Sequence, residues 1–326
     1  MEEQRQIVLF SGGGWHYSSK GGFVMDEWLL SLTGRTLPKV CLLSTPQGDA
    51  DGQFTRMFKE LQGRAEVTWA PMFQELAKGE DPLHNLLAAD LIYIPGGYTQ
   101  GFVGALAGAG WDLVLRQAWE QGTVIAAMCA GAMGLCTNYA NRWMEKPAMG
   151  AGLGFLPISL SVHANKKLYE DLGSMFRHGV RDGLIRPGYL IEDGFALRFM
   201  GTQLVECVTA EWPQARGYYL EPGDEFHELH SLELEAESLE ERLGLNGVKD
   251  YWELSRRARA IKPERRLRLL RTRLSGENTQ EFEAIEVDEE SVLPVAPPPA
   301  FVSTDELIPA DESLTPTSHF EVDPLP

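Results

Sequence analysis

The feature that most constrains the fold is an alternation of short apolar runs with helix-like segments. Five apolar runs of four or five residues are separated by amphipathic segments such as 54–61, 101–107 and 111–120; the runs are 7–10, 40–43, 67–70, 91–94 and 124–128. Strands that are apolar on both faces and alternate with helices are typical of a parallel sheet covered on both sides. We therefore predict an α/β fold with a doubly wound, mostly parallel sheet.

Further strands are expected later in the same region, at 158–162, 188–191, 195–200, 204–208 and 217–220. The tripeptide Glu192-Asp193-Gly194 lies between two of them and is typical of a hairpin turn. We assign residues 1–222 to this α/β domain. Residues 224–274 are rich in Glu, Leu and Arg without strand signals, so we predict a helical C-terminal extension over 223–275.

The end of the chain has a different composition. Residues 276–326 hold 13 acidic residues, no Lys or Arg, and eight of the nineteen prolines, so we predict a disordered acidic tail. The net charge of −18 therefore falls to −5 over the first 275 residues, with 34 acidic and 29 basic side chains. The charge of the tail thus says little about the substrate of the main domain.

Residues 256–273 form a basic stretch with nine Lys or Arg and one acid, Glu264. Such a stretch can bind nucleic acid or an acidic partner. A solvated helix face, compensated by the acidic tail, is the commoner meaning. We therefore expect no nucleic-acid ligand, and leave open a protein partner for the tail or the basic helix.

The cysteines indicate the compartment. Cys41, Cys129, Cys136 and Cys207 form neither a C-x-x-C pair nor a metal-binding spacing, which favours a reduced, cytoplasmic protein with no metal or other cofactor. The first five residues lack the apolar core of a signal peptide, and no apolar run approaches the length of a membrane span. We expect a soluble protein without membrane contact.

Cys129 directly follows the apolar run 124–128 and opens a helix-compatible segment, 130–138. Its close neighbours are small, with Ala127 two residues before it and Gly131 two after, as a nucleophile elbow requires. The N–H groups of a helix start would favour a thiolate and offer an oxyanion donor at Ala130. A buried structural cysteine is the alternative, because that is the commoner fate of a single Cys.

Three other segments could complete a site around Cys129. The loop Pro95-Gly96-Gly97-Tyr98-Thr99 follows the preceding strand, where two glycines let the backbone approach a substrate carbonyl. His163 ends an apolar run at the sheet edge where active-site residues collect, and is the best candidate base among seven histidines. Glu145 is the best nearby carboxylate to orient it, although alone it would be an ordinary surface acid.

Together these motifs resemble the dipeptidase E and cyanophycinase family of serine peptidases, whose fold is similar to class I glutamine amidotransferases. The matching segments, over residues 5–222, are Pro95-Gly96-Gly97-Tyr98-Thr99, Cys129-Ala130-Gly131-Ala132, Glu145-Lys146-Pro147 and Val162-His163. The resemblance implies a nucleophile at Cys129, a general base at His163, and oxyanion donors around Gly97 and Ala130, with Glu145 as third member. It also implies hydrolysis of a small peptide or amide.

This chain departs from the family pattern at three positions. Cysteine stands for the nucleophilic serine, Ala127 for the glycine before the elbow, and Tyr98 for an asparagine after the glycine loop. Tyr98 is accordingly a substrate-contact candidate, as are Arg177 and Arg181, whose guanidinium groups could hold a substrate carboxylate. Exposed helix charges are an equally good account of the arginines. Two other functions stay open: a non-catalytic binding protein on this fold, or thiol chemistry other than peptide cleavage.

Overall fold

The computed structural model describes residues 5–12, 23–61, 63–143, 146–166, 170–209, 214–223 and 226–234. In chain order, its elements are β1 (Gln6–Phe10), α1 (Phe23–Ser31), β2 (Lys39–Leu42), α2 (Asp51–Leu61), β3 (Glu66–Trp69), α3 (Pro82–Leu87), β4 (Leu91–Ile94), α4 (Thr99–Ala109), α5 (Trp111–Glu120), β5 (Val124–Met128), α6 (Ala130–Leu135), β6 (Cys136–Trp143), β7 (Lys146–Ala151), β8 (Leu156–Ser161), α7 (Glu170–Arg181), β9 (Gly188–Ile191), β10 (Phe195–Met200), β11 (Gln203–Thr209), β12 (Gly217–Leu220), β13 (Phe226–Glu228) and β14 (Leu232–Glu233). A 3-10 helix, Thr45–Gln47, follows β2.

The larger sheet has eight strands in the order β14-β11-β10-β1-β5-β4-β2-β3. Its centre is parallel: β5 pairs in parallel with both β1 and β4, and β2 pairs in parallel with β4 and β3. The antiparallel hairpin β10–β11 extends the sheet beyond β1. The predicted α/β class with a mostly parallel sheet is confirmed.

Apolar side chains cover both faces of this sheet, as the strand composition requires. One face of β1, β4 and β5 packs with α3, α4, α5 and α6, through residues such as Ile92, Ile125, Phe102, Leu106 and Trp119. The other face packs with α1 and α2, through residues such as Val8, Val124, Trp28, Leu29 and Met57. Each fully buried aliphatic side chain contributes roughly 1.5–3 kcal/mol, so both layers stabilise the sheet.

A second sheet of six strands was not expected from the sequence. Its order is β13-β12-β9-β8-β6-β7, and it contains β8 and β9 side by side in parallel. The predicted helix over 130–138 is too long, because α6 ends at Leu135 and β6 begins at Cys136. β-branched and aromatic residues in β6, including Thr137 and Tyr139, favour a strand, and Tyr139 is buried against the main core.

The sequence analysis predicted no strands after residue 224, but the described residues of that region contain two, β13 and β14. β13 pairs with β12, so the second sheet continues to residue 228, and β14 pairs in parallel with the end of β11, so the larger sheet continues to residue 233. Their shortness, three and two residues, explains why no periodicity marked them. The remainder of the expected helical extension and the acidic tail, from residue 235, lie outside the described residues.

Parallel strands end at a common edge, and this places three loops together. The segments after β1, β4 and β5 begin at Ser11, Pro95 and Cys129. β8 and β9 likewise end side by side, immediately before Val162 and Glu192. In the part of the chain that the structure describes, no helix has the length and apolarity needed to cross a membrane.

Candidate active site

Cys129 occupies a strained turn between β5 and α6. Its backbone has φ 48° and ψ −107°, a combination that L-residues rarely adopt and that costs of order 1–3 kcal/mol. The Cys129 N–H donates to the Phe10 carbonyl at 2.9 Å, and its own carbonyl accepts from Met133 N–H at 2.9 Å. Strain held in place by such bonds at a strand-to-helix junction is the geometry of a nucleophile elbow.

The elbow packs directly on the loop after β4, which explains its small residues. A Cβ built on Gly131 would lie 2.6 Å from the Ile94 side chain and 2.9 Å from the Pro95 carbonyl oxygen. The Gly131 N–H donates to that same oxygen at 3.2 Å. A larger residue at 131 would therefore separate the elbow from the glycine loop.

The two glycines of the loop face the sulfur and the Pro46 turn, respectively. A Cβ on Gly96 would lie 3.2 Å from the Cys129 Cβ and 3.6 Å from its Sγ. Gly97 has φ 149°, and a Cβ there would overlap the Pro46 carbonyl oxygen, which accepts from Tyr98 N–H at 2.7 Å. This close backbone approach requires glycine at 97 and leaves a loop backbone beside the thiol.

The Pro46 turn is itself held by a buried carboxylate, Asp49. Its Oδ1 accepts from the Ser44 hydroxyl at 2.8 Å, and its Oδ2 accepts from the Met72 and Phe73 N–H groups at 2.6 and 2.9 Å. Asp49 is fully buried and has φ 56°. Among the described residues the non-glycine positions with positive φ are Asp49, Cys129 and His163, so backbone strain is concentrated around this edge of the sheet.

His163 follows β8 and lies next to the elbow. Its Nε2 is 3.1 Å from the Cys129 Sγ, and its backbone has φ 63°. The His163 N–H donates to the Ser11 hydroxyl at 2.7 Å, which ties this conformation to the end of β1. The ring is 12% exposed, so it is largely removed from water.

The other ring nitrogen of His163 contacts a carboxylate that the sequence analysis did not select. Nδ1 lies 2.5 Å from Oδ1 of Asp193, and the Ser11 hydroxyl donates to the same oxygen at 2.9 Å. A Cβ on Gly12 would lie 2.6 Å from this oxygen, so the glycine after Ser11 makes room for it. Lys166 Nζ lies 2.7 Å from the other oxygen, Oδ2.

The contacts around His163 and Asp193 determine the charge of these two side chains. Burial acts to lower the pKa of His163, but hydrogen bonds to Asp193 and Cys129 and their negative charges raise it to about 9. Burial acts to raise the pKa of Asp193, whereas its bonds to His163, Lys166 and Ser11 hold it well below the usual range. Around neutral pH the pair is therefore an imidazolium on a carboxylate.

Burial dominates the surroundings of the other three cysteines. Burial raises the pKa of Cys41 to about 12 and that of Cys136 further still, and burial beside Glu206 raises that of Cys207 to about 11. All four cysteines are free thiols. Within the described ranges, no group of three or more His, Cys, Asp or Glu side chains is arranged to hold a metal ion.

The structure brings together Cys129, His163, Gly96, Gly97 and the first residue of α6, Ala130, whose N–H has no partner within its helix. Tyr98 is 46% exposed, and its ring covers Gly101 on the first turn of α4. Arg177 and Arg181 are exposed on α7, which packs on the second sheet, and Arg181 pairs with Asp182 at 2.8 Å. Glu145 lies outside the described residues.

The sequence analysis did not select three residues of this site: Asp193, Ser11 and Lys166. The position of Asp193 in the sequence could have identified it. Asp193 follows β9 by two residues, just as His163 follows β8, and those strands are parallel neighbours. The rule that selected His163 therefore also selects Asp193. The sequence analysis interpreted Glu192-Asp193-Gly194 only as a hairpin turn and therefore did not consider Asp193 as a site residue.

Fold and site define a class: an α/β protein whose thiol, imidazole and carboxylate are in contact at the edge of a parallel sheet. Comparison with known proteins identifies the family. The family model described as Peptidase family S51 matches residues 7–207, and the chain belongs to this family.

Two similar proteins carry the word peptidase in their descriptions. The uncharacterized peptidase YgaJ of Bacillus subtilis (strain 168) is 27% identical over 216 residues, which are 63% of this chain and 88% of that protein. The crystal structure of a peptidase from an acI-B1 Actinobacterium superposes with a TM-score of 0.53 at 18% identity, over 69% of this chain and 94% of that one. The second likeness supports the fold alone.

Proposed function

We propose that this member of peptidase family S51 hydrolyses a small peptide or amide with Cys129 as nucleophile. The observation that carries the proposal is the chain of contacts from Cys129 Sγ to His163 Nε2 at 3.1 Å and from His163 Nδ1 to Asp193 Oδ1 at 2.5 Å. A nucleophile, a base and a group that orients the base are the parts that covalent acyl transfer needs. The membership of a peptidase family supplies the substrate class.

In the first half-reaction the Cys129 thiolate attacks the substrate carbonyl carbon. The N–H groups of Gly97 and Ala130 stabilise the oxyanion of the tetrahedral intermediate. The imidazolium of His163 then donates its Nε2 proton to the leaving amine as the C–N bond breaks, which leaves an acyl thioester on Cys129. Asp193 keeps Nδ1 protonated throughout and so fixes the orientation of the ring.

In the second half-reaction neutral His163 accepts a proton from water through Nε2. The hydroxide formed attacks the thioester carbonyl, the C–S bond breaks, and the acid product leaves with the thiolate and imidazolium restored. The protonated state of His163 described above suits this order of steps, because the imidazolium is present before the first attack. Cys129 takes the place of the serine hydroxyl that the resemblance to serine peptidases implies.

Substrate choice is a further part of the proposal. The resemblance to dipeptidase E implies cleavage next to aspartate, and Tyr98, exposed on the turn after Gly97, is the residue we assign to substrate contact. Arg177 and Arg181 keep their alternative role as helix surface charges. The four free thiols support a reducing, cytoplasmic location.

The test is hydrolysis of a dipeptide panel that includes aspartyl and β-aspartyl dipeptides, with intact-mass detection of an acyl-enzyme. We expect turnover and a covalent adduct in the full chain, and neither in Cys129→Ala. Cys207→Ala, which alters another partly buried thiol, is the matched control and should keep both. A Cys129→Ala variant that retains full activity would overturn the assignment, and absence of turnover with the whole panel would favour a binding or thiol-redox role.

A further inference from the structure

Lys166 is folded back onto the site by a short turn after His163. The Lys166 N–H donates to the His163 carbonyl at 3.0 Å, which closes the turn. Its Nζ then lies 2.7 Å from Asp193 Oδ2 and 3.4 Å from His163 Nδ1. The side chain is 51% exposed, so the ammonium group reaches the pair from the solvent side.

The two oxygens of Asp193 have separate partners. Oδ1 accepts from the buried Ser11 hydroxyl and contacts the His163 ring, while Oδ2 pairs with Lys166. Because Lys166 binds the oxygen that the ring does not use, it holds the carboxylate plane without competing for the same lone pairs. A carboxylate bound at both ends cannot rotate away from the ring.

The ammonium group also acts on the charge of the ring. At 3.4 Å from Nδ1 it is close enough to repel an imidazolium, and this opposes the attraction by the Asp193 carboxylate. Among the described residues, the charged and titratable groups in contact with the ring include Asp193 from the β9–β10 turn, Cys129 from the elbow, and Lys166 from the segment after β8. Ser11, from the end of β1, is neutral.

We propose that Lys166 is a positioning residue that acts through Asp193 and sets the upper pH limit of the site by opposing protonation of His163. The expected effect of Lys166 on turnover rests on the proposed function, because only in that mechanism does His163 donate a proton to the leaving group. Its effect on the ring itself is independent of any substrate.

The direct test is NMR titration of the His163 ring in the full chain, with the signal assigned by its loss in His163→Gln. We expect Lys166→Met and Lys166→Gln to move the His163 midpoint upward by about one pH unit at low salt. The difference from the unmodified chain should shrink at 0.5 M salt, because the ammonium is half-exposed. Lys166→Arg should restore the original midpoint, and Lys78→Met, at another exposed lysine, should not move it.

An unchanged or lowered midpoint in both neutral variants would overturn the proposal. In the peptidase assay, the same variants should extend the alkaline limb of kcat/KM by the same interval and lower kcat several-fold with KM within twofold. Since the NMR midpoint needs no substrate, an enzyme that cleaves none of the panel would refute the proposed function while the midpoint still decides the role of Lys166.

Discussion

Replacement of Asp193 by asparagine should substantially weaken the preference of His163 for its charged form. The pKa of His163, about 9, lies well above its ordinary value of 6.5, and the bond to Asp193 is the largest cause that raises it. The difference corresponds to about 3 kcal/mol in favour of the imidazolium. Asparagine preserves the size of the side chain and an acceptor oxygen, so the change is chiefly one of charge.

The size of the effect follows from the geometry. A hydrogen bond to a charged group contributes about 1.5–3 kcal/mol, which is equivalent to about 1–2 pH units. We expect the NMR midpoint of His163 in Asp193→Asn to fall from about 9 to about 7–8. Turnover at neutral pH should fall in parallel, because less imidazolium is present and the ring is less well oriented.

The matched control is Asp182→Asn, which neutralises an exposed carboxylate paired with Arg181. It should leave the His163 midpoint and turnover unchanged. A His163 midpoint that stays near 9 in Asp193→Asn would refute the reasoning, since Asp193 would then not be the group that holds the proton on the ring.

Three further predictions concern the frame of the site. Gly97→Ala should abolish turnover and destabilise the fold, because its Cβ overlaps the Pro46 carbonyl, whereas Gly104→Ala, where a Cβ meets no atom within 4 Å, should be neutral or stabilising in thermal unfolding. Asp49→Asn should cost about 2–3 kcal/mol in urea unfolding, since the amide keeps one acceptor oxygen and the donors to the other carboxylate oxygen lose their partner; an unchanged midpoint would contradict this. The pKa of His163 is higher in the folded state than in the unfolded state, so its protonation stabilises the fold fully below about pH 6.5, and this contribution is lost as the pH rises through 9. The free energy of unfolding should therefore decline between pH 6.5 and 9 in the unmodified chain but not in His163→Gln.

The sequence was sufficient for the parts of the fold with local signals. Runs such as Val124–Met128 are apolar at every position, and the structure buries all five residues of that strand. The small residues around Cys129 likewise predicted a tight turn, and the Gly96 loop lies against it. Both patterns follow from local sterics and burial.

The second sheet and the carboxylate depended on contacts distant in sequence. β6 pairs with β7 and β8, and the few strand-favouring residues within 136–143, such as Thr137 and Tyr139, are too few to separate it from the helix before it without those pairings. Asp193 reaches His163 across thirty residues, after a strand pairing that only the fold reveals. Glu145 was selected as a nearby carboxylate and from the resemblance, and because it lies outside the described residues its role stays a prediction.

The most direct test of the central claim is the rate of alkylation of each cysteine by iodoacetamide near neutral pH, followed by peptide mass spectrometry. Cys129 lies 3.1 Å from the His163 ring, whereas burial raises the pKa values of Cys41, Cys136 and Cys207. We expect Cys129 to react fastest, and His163→Ala to slow only that residue. Equal rates at accessible thiols, unaffected by His163→Ala, would contradict a catalytic Cys129–His163 pair.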